Sequence, residues 1–162
     1  MTEFQLHIRK GNVQDFKKLN HEWAWSPNKE WQQIVQNDYI KGIQKGSQEF
    51  WVIEKGDDIV GEFHIYWDKT DKDEANGINR AYLSAFRVHP DYRGQGLGTK
   101  LMQRVIERIK EKGFNEVTIG AYHHEPKIQA LYKKWGFTEF VKACIEETTE
   151  GKPKYLLFLK KL

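Results

Sequence analysis

Apolar and polar residues along the chain follow two periods, and the switches between them cut it into short elements. Phe4, Leu6 and Ile8 alternate with Gln5, His7 and Arg9, the period-two signature of a first strand. Asp15 to Trp25 puts Phe16, Leu19 and Trp23 on one helical face, and Ser26-Pro27-Asn28 breaks that run. Trp31, Ile34, Val35 and Ile43 predict a second helix over Lys29–Lys45. Phe50–Glu54 and Ile59–Trp67 read as two strands joined by the hairpin turn Lys55-Gly56-Asp57-Asp58. The polar, acidic stretch Asp68–Asn79 is a surface loop before a fourth strand at Ala81–Val88.

Helical spacing returns with Leu101, Met102, Val105, Ile106 and Ile109, and Gly113 closes that helix. Glu116–Tyr122 is a fifth strand and Lys127–Trp135 a fourth helix stopped by Gly136. Thr138–Glu146 and Lys154–Lys160 form a last strand pair around Glu150-Gly151-Lys152-Pro153. The predicted order is βααβββαβαββ. Its strand–helix–strand unit needs a crossover, so part of the sheet in this α/β pattern is parallel.

Composition narrows the class. The 162 residues fit one domain spanning 1–162, with 39% hydrophobic and 30% charged residues as expected of a soluble chain. Cys144 is the single cysteine, which forbids an intramolecular disulfide and fits a reducing compartment; it reads as a small core residue. The start lacks a cationic segment leading into an apolar run, and no apolar stretch spans a bilayer, so a cytoplasmic protein without a membrane role is expected. The net charge of +3 is scattered among 23 acidic residues, which disfavours a nucleic-acid partner. His123-His124 has no third ligand at suitable spacing, and no metal is expected.

The segment that carries chemistry is Val88-His89-Pro90-Asp91-Tyr92-Arg93-Gly94-Gln95-Gly96-Leu97-Gly98-Thr99, between a strand and an amphipathic helix. Three glycines in five residues allow a tight turn whose N–H groups approach a ligand. The helix start adds unpaired N–H groups and the positive end of a dipole, a cradle for phosphate. A Walker loop ends in Gly-Lys-Ser/Thr, but here Gly98-Thr99-Lys100 reverses the last two types. The dinucleotide fingerprint would need its third glycine at Thr99. What remains is Arg93-x-x-Gly96-x-Gly98. Together with Ala130-Leu131-Tyr132-Lys133-Lys134-Trp135-Gly136-Phe137 after the fifth strand, it resembles the Gcn5-related N-acetyltransferase (GNAT) family, and the element order resembles that family's over nearly the whole chain.

The resemblance implies a single-domain fold with a mixed, mostly antiparallel sheet of about seven strands, splayed between the fourth and fifth, and helices on both faces. It implies acetyl-CoA as cosubstrate, with the pyrophosphate on the amides of Gly94, Gln95, Gly96, Leu97, Gly98 and Thr99 beside Arg93. The pantetheine arm would pair with the backbone of Phe86, Arg87 and Val88, where an N–H at Phe86 or Val88 would polarise the thioester carbonyl. Lys127, Lys100, Lys133 or Lys134 would reach a coenzyme phosphate. Tyr132 corresponds to the family's general acid for the departing thiolate, a role that suits a phenol neutral at pH 7. The family's usual Asn, seven residues before this Tyr, is Glu125 here, which keeps an acceptor and loses the amide donor.

The base and the acceptor are less defined. Gly120 stands near the place where some relatives carry a basic Glu, so the base must lie elsewhere. Glu62, His64 and Tyr66 share a face of the third strand, with Glu62 the first candidate base and His64 the second. Trp25 and Tyr82, with Trp23 and Trp31, are placed at the acceptor entrance, and the acidic loop with Asp68, Asp71, Asp73 and Glu74 would attract a cation. The expected reaction is direct transfer to a small-molecule or peptide amine, and the resemblance admits a homodimer. A non-catalytic acyl-CoA-binding module is the alternative; the retained Tyr132 favours the enzyme.

Overall fold

A computed structural model describes residues 5–19, 29–145 and 154–162, with their side chains apart from 29, 31 and 154. The elements are β1 (Leu6–Lys10), a short 3-10 segment (Val13–Lys17), α1 (Lys29–Lys45), β2 (Gln48–Lys55), β3 (Asp58–Tyr66) and β4 (Arg80–Val88). A 3-10 turn (Pro90–Tyr92) follows, then α2 (Leu97–Glu111), β5 (Glu116–Tyr122), α3 (Pro126–Lys134), β6 (Glu139–Ile145) and β7 (Lys154–Lys161). The strands form one seven-stranded sheet in the order β1-β2-β3-β4-β5-β7-β6. The parallel crossover expected from the sequence is β4–β5. Its pairing runs from Arg80–Glu116 to Leu83–Ile119 and stops there. Ser84–Val88 of β4 and Gly120–Tyr122 of β5 lie beyond that register, which is the expected splay.

The chain divides into two compact units, Met1–Ile65 with Ala85–Arg108, and Tyr66–Ser84 with Ile109–Leu162. In the first, β1 pairs antiparallel with β2 from Leu6–Lys55 to Lys10–Trp51. Its core gathers Phe16, Leu19, Phe50, Val52 and Ile59, with Val35, Tyr39, Ile40 and Ile43 of α1 packed against them. Each of the five buried side chains contributes about 1.5–3 kcal/mol by leaving water, and the partly buried ones of α1 less. Leu97, Leu101, Met102 and Val105 form the buried stripe of α2, as their spacing requires.

The helix expected over Asp15–Trp25 is corrected within the described residues to the 3-10 segment Val13–Lys17. The local chemistry explains why. Asn12 caps it by accepting from the Gln14 N–H, while the Asp15 carboxylate accepts from the Asn12 N–H at 2.8 Å. Arg9 clamps the same carboxylate with two bonds of 2.9 Å. A side chain so committed holds one tight turn rather than a helical face.

The second unit is built on β5–β7 and β6–β7 antiparallel pairs, running from Glu116–Lys161 to Tyr122–Tyr155 and from Glu139–Leu159 to Ile145–Lys154. A register shift between Phe140 and Lys142 interrupts β6. Cys144, expected in the core, is half-buried on β6. β6 lies last in the sheet order, and its side chains take exposed and half-buried positions rather than entering the core. Among the described residues no helix is long and apolar enough to cross a membrane.

Candidate active site

The glycine loop lies in the first unit and shows two separate reasons for glycine. Gly94 and Gly96 both have φ of +77°, a left-handed geometry costly for any side chain. Gly98 answers to space instead: a Cβ there would lie 2.8 Å from Cζ of Phe86. Arg93 closes the loop on its strand by donating from Nε to the Val88 carbonyl at 2.9 Å. The helical ladder of α2 begins with the Lys100 N–H donating to Gly96 O at 3.1 Å. The N–H groups of Leu97, Gly98 and Thr99 precede that bond and have no partner inside the helix. No acidic residue occupies the first turn of α2, so its positive dipole end is not neutralised from within. Leu97 itself is buried, and it anchors the turn while its amide forms part of the loop's edge.

Just before the loop, β4 departs from regular strand geometry. Ala85 has φ of +57°, the one non-glycine residue with a left-handed backbone among those described. An L-residue pays about 1–2 kcal/mol for this. The side chains of Phe86 and Phe63 pack at 4.9 Å between ring centroids.

Glu62 and His64 on β3 are both fully buried, at 0% exposure, and they touch each other. His64 Nε2 lies 3.2 Å from Glu62 Oε1, and Gln48 Nε2 lies 3.5 Å from His64 Nδ1. One tautomer satisfies both contacts: Nε2–H donates to the carboxylate, and Nδ1 accepts from the amide. Tyr39 and Phe50 flank the imidazole with centroids at 4.2 and 4.9 Å. Gly42 of α1 makes room for this arrangement, since a Cβ there would collide with the Gln48 side chain. Arg87, expected to act through its backbone, also directs Nη1 at Glu62 Oε1 at 3.3 Å. Both polar neighbours therefore meet one oxygen of Glu62. The other, Oε2, is buried without a hydrogen-bond partner among the described residues.

In the second unit Tyr132 is buried on α3, between Trp135 and Phe137 at 6.1 and 6.3 Å between ring centroids. Burial, and after it the nearby Glu125 carboxylate, raises its pKa well above the usual phenol value. Tyr132 therefore keeps its proton at neutral and moderately alkaline pH. Glu125 is exposed at the start of α3 and makes no side-chain capping bond there. Pro126 at the first helical position needs no acceptor, which fits a helix start without a cap. Lys127 is exposed one residue later.

Tyr82 is buried beside Gly120, where a Cβ would lie 3.3 Å from the Tyr82 hydroxyl and 2.8 Å from the Tyr155 ring. The two tyrosines thus fill the space a β5 side chain would take. Trp23 and Trp25 lie outside the described residues, as does the side chain of Trp31. His123 and His124 are exposed with rings 5.3 Å apart, and no group of three metal-ligating side chains occurs among the described residues. The sequence reading missed Gln48, Lys69 and Tyr155. Each meets its partner across a sheet or a loop, and no local period signals such meetings.

A sequence profile of the acetyltransferase (GNAT) family matches residues 16–137, more than half of the chain. Among curated proteins, the chain is 24% identical over 143 residues to the uncharacterized N-acetyltransferase YdgE of Bacillus subtilis (strain 168), covering 85% of this chain and 88% of that one. It is 32% identical over 62 residues to the thialysine N-epsilon-acetyltransferase of Bos taurus, covering 38% of this chain and only 36% of the relative. Among solved structures, a GNAT family acetyltransferase from Elizabethkingia anophelis with acetyl-CoA bound superposes with a TM-score of 0.67 at 18% identity, covering 97% of this chain and 98% of that one. The loop after a splayed fourth strand, the buried Tyr of α3 and the extent of the profile match lead to one assignment: this chain belongs to the acetyltransferase (GNAT) family.

Proposed function

We propose that the protein transfers an acetyl group from acetyl-CoA directly to an amine, with Tyr132 as general acid and Glu62 as base. The carrying observation is Tyr132, a buried phenol held in its protonated form on a family motif. The acetyl-CoA-bound neighbour supports the cosubstrate, and the pair of left-handed glycines before the α2 amides supports the place of its pyrophosphate. The relative named for acetylating the ε-amine of thialysine supports a cationic amine as acceptor.

In the proposed step the amine nitrogen forms a bond to the thioester carbonyl carbon. A backbone N–H at Phe86 or Val88 steadies the oxygen, and the left-handed turn at Ala85 aims that stretch of β4. The C–S bond then breaks. Tyr132 gives its proton to sulfur, and Glu62 takes the amine proton on Oε2, directly or through one water. Burial raises the pKa of a thiol as it does that of a phenol, so donor and leaving group are shifted in the same sense. Cys144 takes no part: burial raises its thiol above the usual value, and a thiol that keeps its proton is a poor nucleophile.

The test is free-thiol release from acetyl-CoA over a panel of amines, comparing wild type with Tyr132→Phe. We expect kcat to fall on the order of a hundredfold with coenzyme affinity unchanged. A variant as active as wild type removes Tyr132 from the mechanism. Acetyl-CoA binding without turnover of any amine favours a non-catalytic acyl-CoA-binding module.

A further inference from the structure

The second unit holds a cation in a setting built for one. Lys69, in the loop after β3, places Nζ 4.9 Å from the Tyr66 ring centroid and 4.4 Å from that of Tyr82. The two rings are neighbours, with centroids 5.9 Å apart. The same ammonium lies 3.6 Å from Glu74 Oε1. Glu74 is 4% exposed, and its other oxygen accepts from the Tyr155 hydroxyl at 3.1 Å. Its backbone is fixed as well, since Thr118 Oγ1 donates to the Glu74 carbonyl at 2.7 Å. Ala75 and Leu157 pack with Tyr82 beneath, and the bare Cα of Gly120 admits both Tyr82 and Tyr155.

Two aromatic faces and one carboxylate around an ammonium make a recognition site for organic cations. The partners are unequally held. Tyr82 and Glu74 are buried, whereas the Lys69 side chain is 29% exposed and tethered by four flexible methylenes. A shielded carboxylate needs a cation nearby, but nothing requires that cation to be Lys69. The cation–π and ionic contacts of a part-exposed lysine are individually weak, and the chain regains rotamer freedom when its tip leaves. Exchange of Lys69 for a ligand ammonium therefore comes close to balance.

We infer that Tyr66, Tyr82, Glu74 and Tyr155 form a subsite for a second cationic group of the acceptor, and that Lys69 fills it when the acceptor is absent. The acceptor class is then a diamine, or a basic amino-acid-like molecule with two ammonium groups, rather than a simple monoamine. This rests on the reading of the chain as an amine acetyltransferase. It adds a built-in competitor, because a ligand must displace Lys69 to gain the cage.

The experiment compares 1,5-diaminopentane with 1-aminopentane, by calorimetric binding and by thiol release, on wild type, Lys69→Met, Lys69→Arg and Lys69→Met/Tyr82→Leu. Emptying the cage with Lys69→Met should lower Kd and KM for the diamine on the order of tenfold and leave the monoamine unchanged. Lys69→Arg should behave as wild type, and Tyr82→Leu in the Met background should cancel the gain. Wild type offers a reading that needs no variant. The Lys69 Cε protons lie over two tyrosine rings, and their ring-current shift should vanish when the diamine is added but not the monoamine. If that shift persists, or if Lys69→Met leaves the diamine-to-monoamine ratio as in wild type, Lys69 is a structural ion pair and the subsite is wrong. The two readings fail separately. Diamine binding that expels Lys69 without turnover keeps the subsite and sinks acetyl transfer, whereas turnover with an undisturbed Lys69 does the reverse.

Discussion

Glu49 and Glu62 sit on consecutive strands of the first unit, both shielded from water, and are held in opposite ways. Glu49 is saturated. Arg108 grips it with Nε at 3.0 and 3.2 Å and Nη2 at 2.7 Å, Trp51 Nε1 donates at 3.3 Å, and Lys10 stands 3.9 Å away. Glu62 receives His64 and Arg87 on Oε1 alone, and Oε2 has no partner among the described residues. A saturated buried carboxylate has nothing left to offer a reactant and serves the fold. A half-satisfied one keeps the cost of burial and holds a lone pair in reserve. The pair teaches that burial alone does not mark a functional acid; the count of its partners does.

The contrast can be broken at either end. The largest expected effect is on Glu62→Gln: kcat should fall about 10²–10⁴-fold, the usual contribution of a general base, while the thermal midpoint moves little. Steady-state thiol release beside a melting curve measures both, and an active variant returns Glu62 to the structural class. Glu49→Gln should do the opposite. It leaves the part-exposed Arg108 against a neutral amide, so stability should drop by about 1.5–3 kcal/mol in urea unfolding, with kcat unchanged at temperatures where the variant is folded.

The next effect is smaller and spread over pH. Burial pushes the Glu49 pKa up, but Arg108 and Lys10 outweigh it and hold the group below its usual value. Asp15 is likewise pushed up by burial, yet held low by Arg9 and the Asn12 N–H. Both folded-state values lie below the unfolded ones. The stability they add is therefore present above about pH 4 and drains away as pH falls through that value toward the folded pKa. Urea midpoints taken from pH 6 downward should show this slope in wild type and a shallower one in Glu49→Gln. The smallest effect is at Ala85. Ala85→Gly removes about 1–2 kcal/mol of left-handed strain and returns about 0.5–1 kcal/mol of backbone entropy to the unfolded chain. The net is a gain of up to about 1.5 kcal/mol, and a loss would mean the methyl group packs better than the strain costs.

What the sequence revealed and what it hid follow the range of the interactions. Periodicity is local, and the expected bounds Lys29–Lys45 and Glu116–Tyr122 are those of α1 and β5. The glycine loop was legible because a backbone-made site writes itself in residue type: left-handed φ at Gly94 and Gly96 leaves few substitutes. Side-chain sites are assembled across strands. Period two placed Glu62 and His64 on one face, but Gln48 reaches His64 from β2 and Arg87 reaches Glu62 from β4. Asp15 deceived for a related reason. It sits where a helix would begin, yet its bonds to Arg9 on β1 spend it on a turn.

The sheet order β5-β7-β6 carries a consequence for how the second unit forms. β6 leaves the ribosome before β7, but the strand it needs lies between it and β5. β7 pairs with β6, its neighbour in sequence, but until Glu116–Tyr122 meets Lys154–Lys161, β5 keeps a bare edge on that side. The register of β5 against this strand pair is thus set late, by a longer-range closure than the β6–β7 pairing. Folding of the unit should be slow relative to its size, and in the interval the open edge of β5 is the place where another extended chain would add itself.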